Sequence, residues 1–137
     1  MTYLFDTNAC IALIKGSNPH VRNRFQSALA AKARLVVSSV VVFELWYGVA
    51  KSMQKEKNKL QLEAFLAAPI EVISFDEEDA LIAGAQRAML EEIGRPISAY
   101  DLLIAGQALR RGWTLVTANV REFSLIKDLS WEDWTRP

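Results

Sequence analysis

The sequence contains one cysteine and one histidine, and its charges cancel, with sixteen acidic and sixteen basic residues. Cys10 cannot form an internal disulfide, so we expect it to pack as a small apolar residue in the first helix. No cysteine and histidine spacing typical of a zinc site is present. The neutral balance argues against long, non-specific nucleic-acid binding, but it allows a nuclease whose acids and bases lie on different faces.

Several sequence motifs are also missing. The chain has no Gly-x-Gly-x-x-Gly or Walker-type loop, which counts against enzymes with nucleotide cofactors. It has no Gly-x-Ser-x-Gly nucleophile elbow. No apolar run approaches membrane-spanning length, and the N-terminus lacks the features of a signal peptide. We therefore expect a cytoplasmic protein with no membrane partner.

The length and composition favour a compact fold. The chain has 137 residues, of which 51% are hydrophobic and 23% charged, which excludes a disordered protein. This length suits one domain with one core, so we expect a single domain over residues 1–137.

Short apolar segments alternate with helical patterns along the chain. This alternation predicts an α/β fold, a three-layer sandwich whose central sheet is mostly parallel, with helices on both faces. The predicted strands are 3–5, 35–37, 70–73 and 114–116, with a short fifth near 129–131. The predicted helices are 9–14, 20–31, 39–51, 55–67, one beginning at 76–78, and 101–111.

The helix that follows the third strand begins with an acidic run, Asp76 to Asp79. We interpret this run as a complement to the positive end of the helix dipole and as a solvated face. The apolar residues Leu81, Ala85 and Met89 recur at i, i+4 and i+8, which predicts that they form the buried face of this helix.

Acidic residues interrupt otherwise apolar sequence at several places. Asp6 ends the first strand, Glu44 lies within an apolar helix, and Asp101 opens another apolar helix. An ionised carboxylate among apolar neighbours is costly unless it is paired or bound to a cation. Several converging carboxylates favour Mg²⁺ or Mn²⁺, because these ions prefer hard oxygen ligands. The pattern therefore predicts a metal-dependent active site, with phosphate chemistry as its first candidate reaction.

The predicted topology gives these residues a common location. In open parallel sheets, ligands bind in the crevice beyond the carboxyl ends of the strands. Asp6 lies there directly, and Asn119 follows the fourth strand closely. Glu44 and Asp101 lie on helices that could face the same edge.

Each acidic residue has a simpler structural interpretation. Asp6 could be a helix N-cap, although its two successors could also serve. Asp101 lies three residues after Ser98, as in a capping box, although the usual partner is Glu or Gln. Glu44 favours a functional role, because it interrupts an apolar stripe and has no basic residue at helical pairing distance.

The remaining candidates are weaker on sequence alone. Asn119 could belong to a turn, and Glu122 could simply be solvated beside Arg121. A basic cluster could be a solvated helix, but it is the best candidate for contact with phosphates; its residues are Lys51, Lys55, Lys57 and Lys59. Apolar surface near Trp46 and Tyr47 could accept a partner segment or a second copy of the chain.

Four segments together resemble the PIN domain family, and specifically the VapC toxins of bacterial type II toxin–antitoxin modules. They occur in family order and with family spacing over nearly the whole chain. The segments are Leu4–Asn8, Ser38–Val49, Gly94–Ala105 and Thr114–Phe123.

The resemblance implies an α/β/α sandwich and a Mg²⁺- or Mn²⁺-dependent ribonuclease that cleaves structured RNA, with tRNA as the expected substrate class. It implies a VapB-like antitoxin partner and a homodimer. Carried over by position, the first, second and third acids are Asp6, Glu44 and Asp101, with Asp6 and Asp101 as metal ligands.

The chain departs from the family pattern after its fourth strand. Many members have an aspartate where this chain has Asn119, and the next acid is Glu122. Either Asn119 holds a water or ligand without charge, or Glu122 supplies the missing carboxylate. Because of this departure, the alternative is a catalytically degenerate binding or regulatory domain of the same fold. A phosphoacceptor receiver domain is disfavoured, because the chain lacks a second aspartate near Asp6 and a lysine after the last strand.

Overall fold

The computed structural model describes all 137 residues, which form a five-stranded, wholly parallel sheet with strand order β3-β2-β1-β4-β5. The predicted fold class is confirmed. The strands are β1 (Thr2–Phe5), β2 (Arg34–Ser38), β3 (Glu71–Ile73), β4 (Thr114–Val116) and β5 (Trp131–Glu132).

Seven helices connect these strands, and they lie close to the predicted segments. They are α1 (Thr7–Lys15), α2 (Pro19–Ala30), α3 (Ser39–Ala50), α4 (Lys55–Leu66), α5 (Glu77–Glu92), α6 (Ala99–Arg111) and the short α7 (Val120–Phe123). None of them is long and apolar enough to cross a membrane.

The C-terminal half of the central strand β1 is fully buried. Tyr3 pairs with Leu35 of β2 on one side and with Thr114 of β4 on the other. Leu4 and Phe5 are completely buried, although their side chains point to opposite faces of the sheet. Both faces of the sheet are therefore covered by helices, as expected for parallel strands.

Helix boundaries follow local capping chemistry. The Ser38 hydroxyl accepts a hydrogen bond from the N–H of Val40, so the serine that ends β2 also begins α3. Helix α6 ends at Gly112, whose φ of 68° is accessible to glycine at little cost. The buried thiol of Cys10 packs in the core, which confirms the prediction for this residue.

The predicted buried face of α5 is wrong. Leu81 is 70% exposed and Met89 is 49% exposed, and Ala85 is exposed as well. On its buried side the helix packs Ala83 against Gly106 of α6. A Cβ added at Gly106 would lie only 2.7 Å from Ala83. The buried residues of α5 are Asp79, Ala83 and Leu90, so the face that packs on α6 carries a charged residue and a small one that the apolar periodicity did not mark.

The acidic run at the start of α5 is only partly solvated, so this prediction is also corrected. Asp79 is completely buried and accepts hydrogen bonds from Arg110 at 2.9 Å and from Arg111 at 3.0 Å. It also completes a capping box with Asp76. The two arginines compensate for burying this carboxylate, and they lower its pKa.

Candidate active site

The candidate site lies at the carboxyl end of the sheet, between β1 and β4. Strand connections run one way from β1 through β2 to β3, and β4 then returns to the other side of β1. The crevice at such a reversal is the usual ligand site of an open parallel sheet. Asp6 follows β1 directly, and Thr117 follows β4 directly.

Asp6 is both a helix cap and a buried acid of this crevice. Its Oδ1 accepts a hydrogen bond of 2.8 Å from the N–H of Ala9, which caps α1. The side chain is nevertheless inside the protein, since only 6% of the residue is exposed. Burial raises the pKa of Asp6, hydrogen bonds from Thr117 and Ala9 oppose this shift, and the nearby charge of Glu44 adds to it.

Glu44 reaches the site from the second turn of α3. Its Oε1 accepts a hydrogen bond of 2.8 Å from the hydroxyl of Thr7, the residue after Asp6. This bond fixes the carboxylate against the start of α1, although Glu44 is only half-buried. This contact agrees with the sequence analysis, which favoured a role for Glu44 beyond that of a solvated helix residue.

Asp101 lies in the first turn of α6, where Ser98 is the N-cap. The Ser98 hydroxyl accepts a bond of 3.3 Å from the N–H of Asp101, but the Asp101 carboxylate does not return a bond to the cap. The predicted capping box is therefore only half formed. The carboxylate Oδ2 instead accepts a bond of 3.3 Å from the side-chain amide of Asn119.

Asn119 joins two carboxylates. Its Nδ2 donates to Asp101 and, at 3.1 Å, to the Oε2 of Glu122. Burial, hydrogen bonding to Glu122 and the negative charges of Glu122 and Asp6 together raise the pKa of Asp101 to about 7, against a hydrogen bond with Ser98 that lowers it. Asn119 and Glu122 both lie beside Asp101, so the position of one does not exclude the other from the site.

The side chains present suit a hard divalent cation. Carboxylates and an amide oxygen are the ligand types that Mg²⁺ and Mn²⁺ accept, and the raised pKa of Asp101 shows carboxyl groups that lack a neutralising partner. No three acidic side chains close around one point tightly enough to hold an ion by themselves. Mg²⁺ commonly binds through one or two carboxylates and keeps several waters, so the open arrangement fits such an ion.

Two residues of the crevice escaped the sequence analysis. Thr117 is buried, its hydroxyl accepts from the N–H of Asn119 at 2.9 Å, and a bond from the same side chain to Asp6 opposes the rise in the pKa of Asp6. Asp133 follows β5, and its charge also raises the pKa of Asp6. A polar residue directly after a strand was the signal available for each.

Comparison with known families agrees with this architecture. The PIN domain family matches residues 3–129. The chain is 39% identical over 134 residues to the tRNA(fMet)-specific endonuclease VapC of Salmonella typhimurium, covering 98% of each protein. It is 38% identical over 136 residues to ribonuclease VapC2 of Rickettsia felis, covering 99% of this chain and 100% of that one.

Solved structures give the same result. The VapBC2 structure from Rickettsia felis, bound to a promoter DNA fragment, contains a chain that matches with a TM-score of 0.91 and 37% identity, covering 98% of this chain and 99% of that one. A chain of DNA-bound VapBC from Salmonella typhimurium matches with a TM-score of 0.89 and 39% identity, covering 98% of each. PIN-domain ribonucleases depend in general on a divalent metal ion. This chain therefore belongs to the PIN domain family and, within it, to the VapC ribonucleases.

Proposed function

We propose that this protein is the toxin of a type II toxin–antitoxin module and that it acts as a Mg²⁺-dependent endoribonuclease, with Mn²⁺ as a possible substitute. The observation that carries the proposal is the convergence of acids from four chain segments at one edge of the sheet. The residues are Asp6, Glu44, Asp101 and Glu122, and Asn119 joins the last two.

Each side chain has a role that follows from its surroundings. Asp6 and Asp101 would hold the ion, because both are acids whose raised pKa reflects burial and neighbouring negative charge. Glu44, oriented by Thr7, would contact the ion or accept a hydrogen bond from a water beside it. Asn119 would hold the carboxylates of Asp101 and Glu122 beside each other by donating a hydrogen bond to each. When bound, the ion would neutralise charge on the scissile phosphate and acidify the attacking water.

In-line attack by water would leave a 5′-phosphate and a 3′-hydroxyl, and it would not need the 2′-hydroxyl as nucleophile. Structured RNA is the proposed substrate class, with tRNA as the first candidate. The absence of a basic excess suits a short target recognised by shape. The tRNA(fMet)-specific relative from Salmonella typhimurium supports the same choice.

A VapB-like antitoxin is the proposed protein partner, since several similar structures are VapBC complexes. Phe43, Trp46 and Tyr47 of α3 are 54%, 36% and 58% exposed, so this helix offers aromatic surface to an antitoxin or a second copy of the chain. We propose a homodimer in the cytoplasm. Light scattering during gel filtration of the antitoxin-free protein would test the dimer, and a monomeric mass at micromolar concentration would exclude it.

Alanine variants test the assignment of the acids. Asp6→Ala and Asp101→Ala should each abolish tRNA cleavage while thermal unfolding remains cooperative, because each removes a proposed metal ligand. Glu92→Ala is the matched control, since this acid is exposed at the end of α5. Full activity in both site variants would remove these residues as ligands. A folded wild-type protein that cleaves no RNA with either ion would support the degenerate binding domain instead.

A further inference from the structure

A cavity of about 210 Å³ lies beside the candidate active site, between α1, α3 and α4. Its apolar wall consists of aliphatic side chains from all three helices. These are Ile11, Ile14, Leu45, Val49 and Leu62. Such a wall can contact the flat face of an aromatic ring, and the volume suits a small ring system better than an extended chain segment.

The opposite wall of the cavity is polar. Asn58 and Gln61 lie three residues apart on α4, so their amides project from the same side of the helix. Both are half-buried, and neither amide is hydrogen-bonded to another side chain or to the backbone, whereas the Ser52 hydroxyl beside them donates to the carbonyl of Val49 at 2.8 Å. Two free amides can pair with the edge of a nucleobase, because each offers both a donor and an acceptor.

The cavity reaches the edge of the candidate active site at one residue. Glu44 lines it, and the same carboxylate accepts the hydrogen bond from Thr7 beside Asp6. A group bound in the cavity would therefore be next to the point where the acids converge.

Positive charge lies on one side of the cavity and on the helix that borders it. Lys15 at the end of α1 lines it directly. The basic cluster lies on and before α4, and all four of its members are exposed: Lys51, Lys55, Lys57 and Lys59. These ammonium groups complement the phosphates of an RNA strand whose base enters the cavity.

We propose that this cavity binds one unpaired nucleobase adjacent to the scissile phosphate and that Asn58 and Gln61 read its edge. The inference rests on the proposed ribonuclease activity and extends it to substrate selection. Aliphatic walls, free amides and a cationic rim match the ring, edge and phosphates of a splayed-out nucleotide. An apolar peptide bound in the cavity would contact the aliphatic wall, but it would bury the amides of Asn58 and Gln61 without hydrogen-bond partners.

The test uses RNA hairpins that differ only in the unpaired nucleotides flanking the cleavage site. Wild-type protein should prefer one base by about 10-fold to 100-fold in kcat/KM, as expected when an edge pairs with buried amides. Asn58→Leu and Gln61→Leu should reduce this preference to within about 3-fold, because they keep the side-chain size and remove the pairing groups. Asn23→Leu and Gln26→Leu on the exposed face of α2 are matched controls that should keep it.

Two further measurements cover a variant that misfolds or a wild type that is inactive. Gln61→Glu keeps the shape and replaces the amide donor, so it should change which base is preferred. Amide chemical shifts of α4 in the wild-type protein, measured with AMP, GMP, CMP and UMP, should respond to one nucleotide more than to the others.

Three outcomes would overturn the base-binding proposal and leave the proposed ribonuclease activity standing. The wild-type protein could show no base preference, or the Asn58→Leu and Gln61→Leu variants could keep the wild-type preference. These variants could also differ from the wild type only in binding the antitoxin more weakly. The last outcome would assign the cavity to the antitoxin. If RNA cleavage itself fails but one nucleotide still perturbs α4 selectively, the proposed function is wrong and the cavity remains a nucleotide site. Equal or absent shifts with all four nucleotides would contradict the cavity's role directly.

Discussion

The ionised form of Asp101 is disfavoured in the folded protein, and either a proton or a bound cation would relieve it. Its carboxylate is half-buried, is close to that of Glu122, and has a pKa of about 7. In an unfolded chain an aspartate has a pKa near 4, as model peptides show, so between these two values the folded protein binds an extra proton. The free energy of unfolding of the metal-free protein must therefore fall as the pH rises from about 4 through about 7.

Asp101→Asn should remove this contribution. In EDTA the variant should have a higher Tm than the wild type at pH 8, and the difference should disappear below about pH 3, where the wild-type carboxyl is largely protonated in both states. Differential scanning fluorimetry across the pH range measures this. Added Mg²⁺ at pH 8 should raise the wild-type Tm more than the variant's. Parallel Tm curves for the two proteins would contradict the proposed strain at Asp101.

The Thr7–Glu44 hydrogen bond makes a second prediction for single residues. A hydrogen bond to a charged group contributes about 1.5–3 kcal/mol, so Thr7→Val should lower kcat by about 10-fold to 100-fold if the bond positions Glu44. KM for RNA should change little, because Thr7 is not proposed to bind substrate. Thr7→Ser keeps the hydroxyl and should restore most of the activity. Steady-state cleavage kinetics would oppose this role if Ser and Val behaved alike.

At the level of residues, the sequence predicted the candidate acids but not their mutual contacts. Glu44 was conspicuous because it interrupts an apolar stripe with no basic residue at helical pairing distance, whereas Asp101 also had a capping interpretation. The Thr7–Glu44 bond spans 37 residues of sequence, and the Asn119–Asp101 bond spans 18, so neither has a local signal. Thr117 carried the local signal of a polar residue after a strand, but its bond to Asp6 depends on β1 and β4 being neighbours.

At the scale of secondary-structure elements, the close packing of α5 against α6 depends on the absence of a side chain at Gly106. Gly106 is buried within α6, and a Cβ there would approach the backbone nitrogen of Ala83 to 2.8 Å. Backbone cannot move aside as a flexible side chain can. The two helices can therefore approach this closely only while position 106 is glycine.

Gly106→Ala should destabilise the protein by about 1–3 kcal/mol, the usual cost of overpacking a closely packed interface. Gly84→Ala is the matched control, because it lies on α5 with nothing within 4 Å of an added Cβ. In that exposed helical position alanine should increase stability by up to about 1 kcal/mol. Urea unfolding followed by circular dichroism gives both values. A neutral Gly106→Ala would mean that the helices separate at little cost.

The elements themselves were largely predictable, because short apolar runs and capping residues are local signals. The helices predicted at 39–51 and 101–111 are present as α3 and α6, and Ser38 and Gly112 are their caps. The face of α5 was not predictable from periodicity, because the buried face includes the charged Asp79 and the small Ala83. Both depend on the neighbouring helix α6, where Arg110 and Arg111 pair with Asp79 and Gly106 makes room for Ala83.

Across the whole molecule, strand order determines where chemistry can occur. The placement of β4 beside β1 brings the end of the fourth strand to Asp6, and α6 delivers Asp101 to the same edge. Net neutrality then conceals a division of charge: acids gather in the crevice, while the basic cluster lies exposed on and before α4. This division is what a neutral nuclease requires, because the site must attract a cation and the surroundings must accept phosphates.

The most direct test is end analysis of tRNA cut by purified, antitoxin-free protein, with EDTA or Mg²⁺ as the only difference between reactions. The account predicts cleavage in Mg²⁺ alone, with 5′-phosphate and 3′-hydroxyl ends. Equal cleavage in EDTA, or 2′,3′-cyclic phosphate ends, would contradict it.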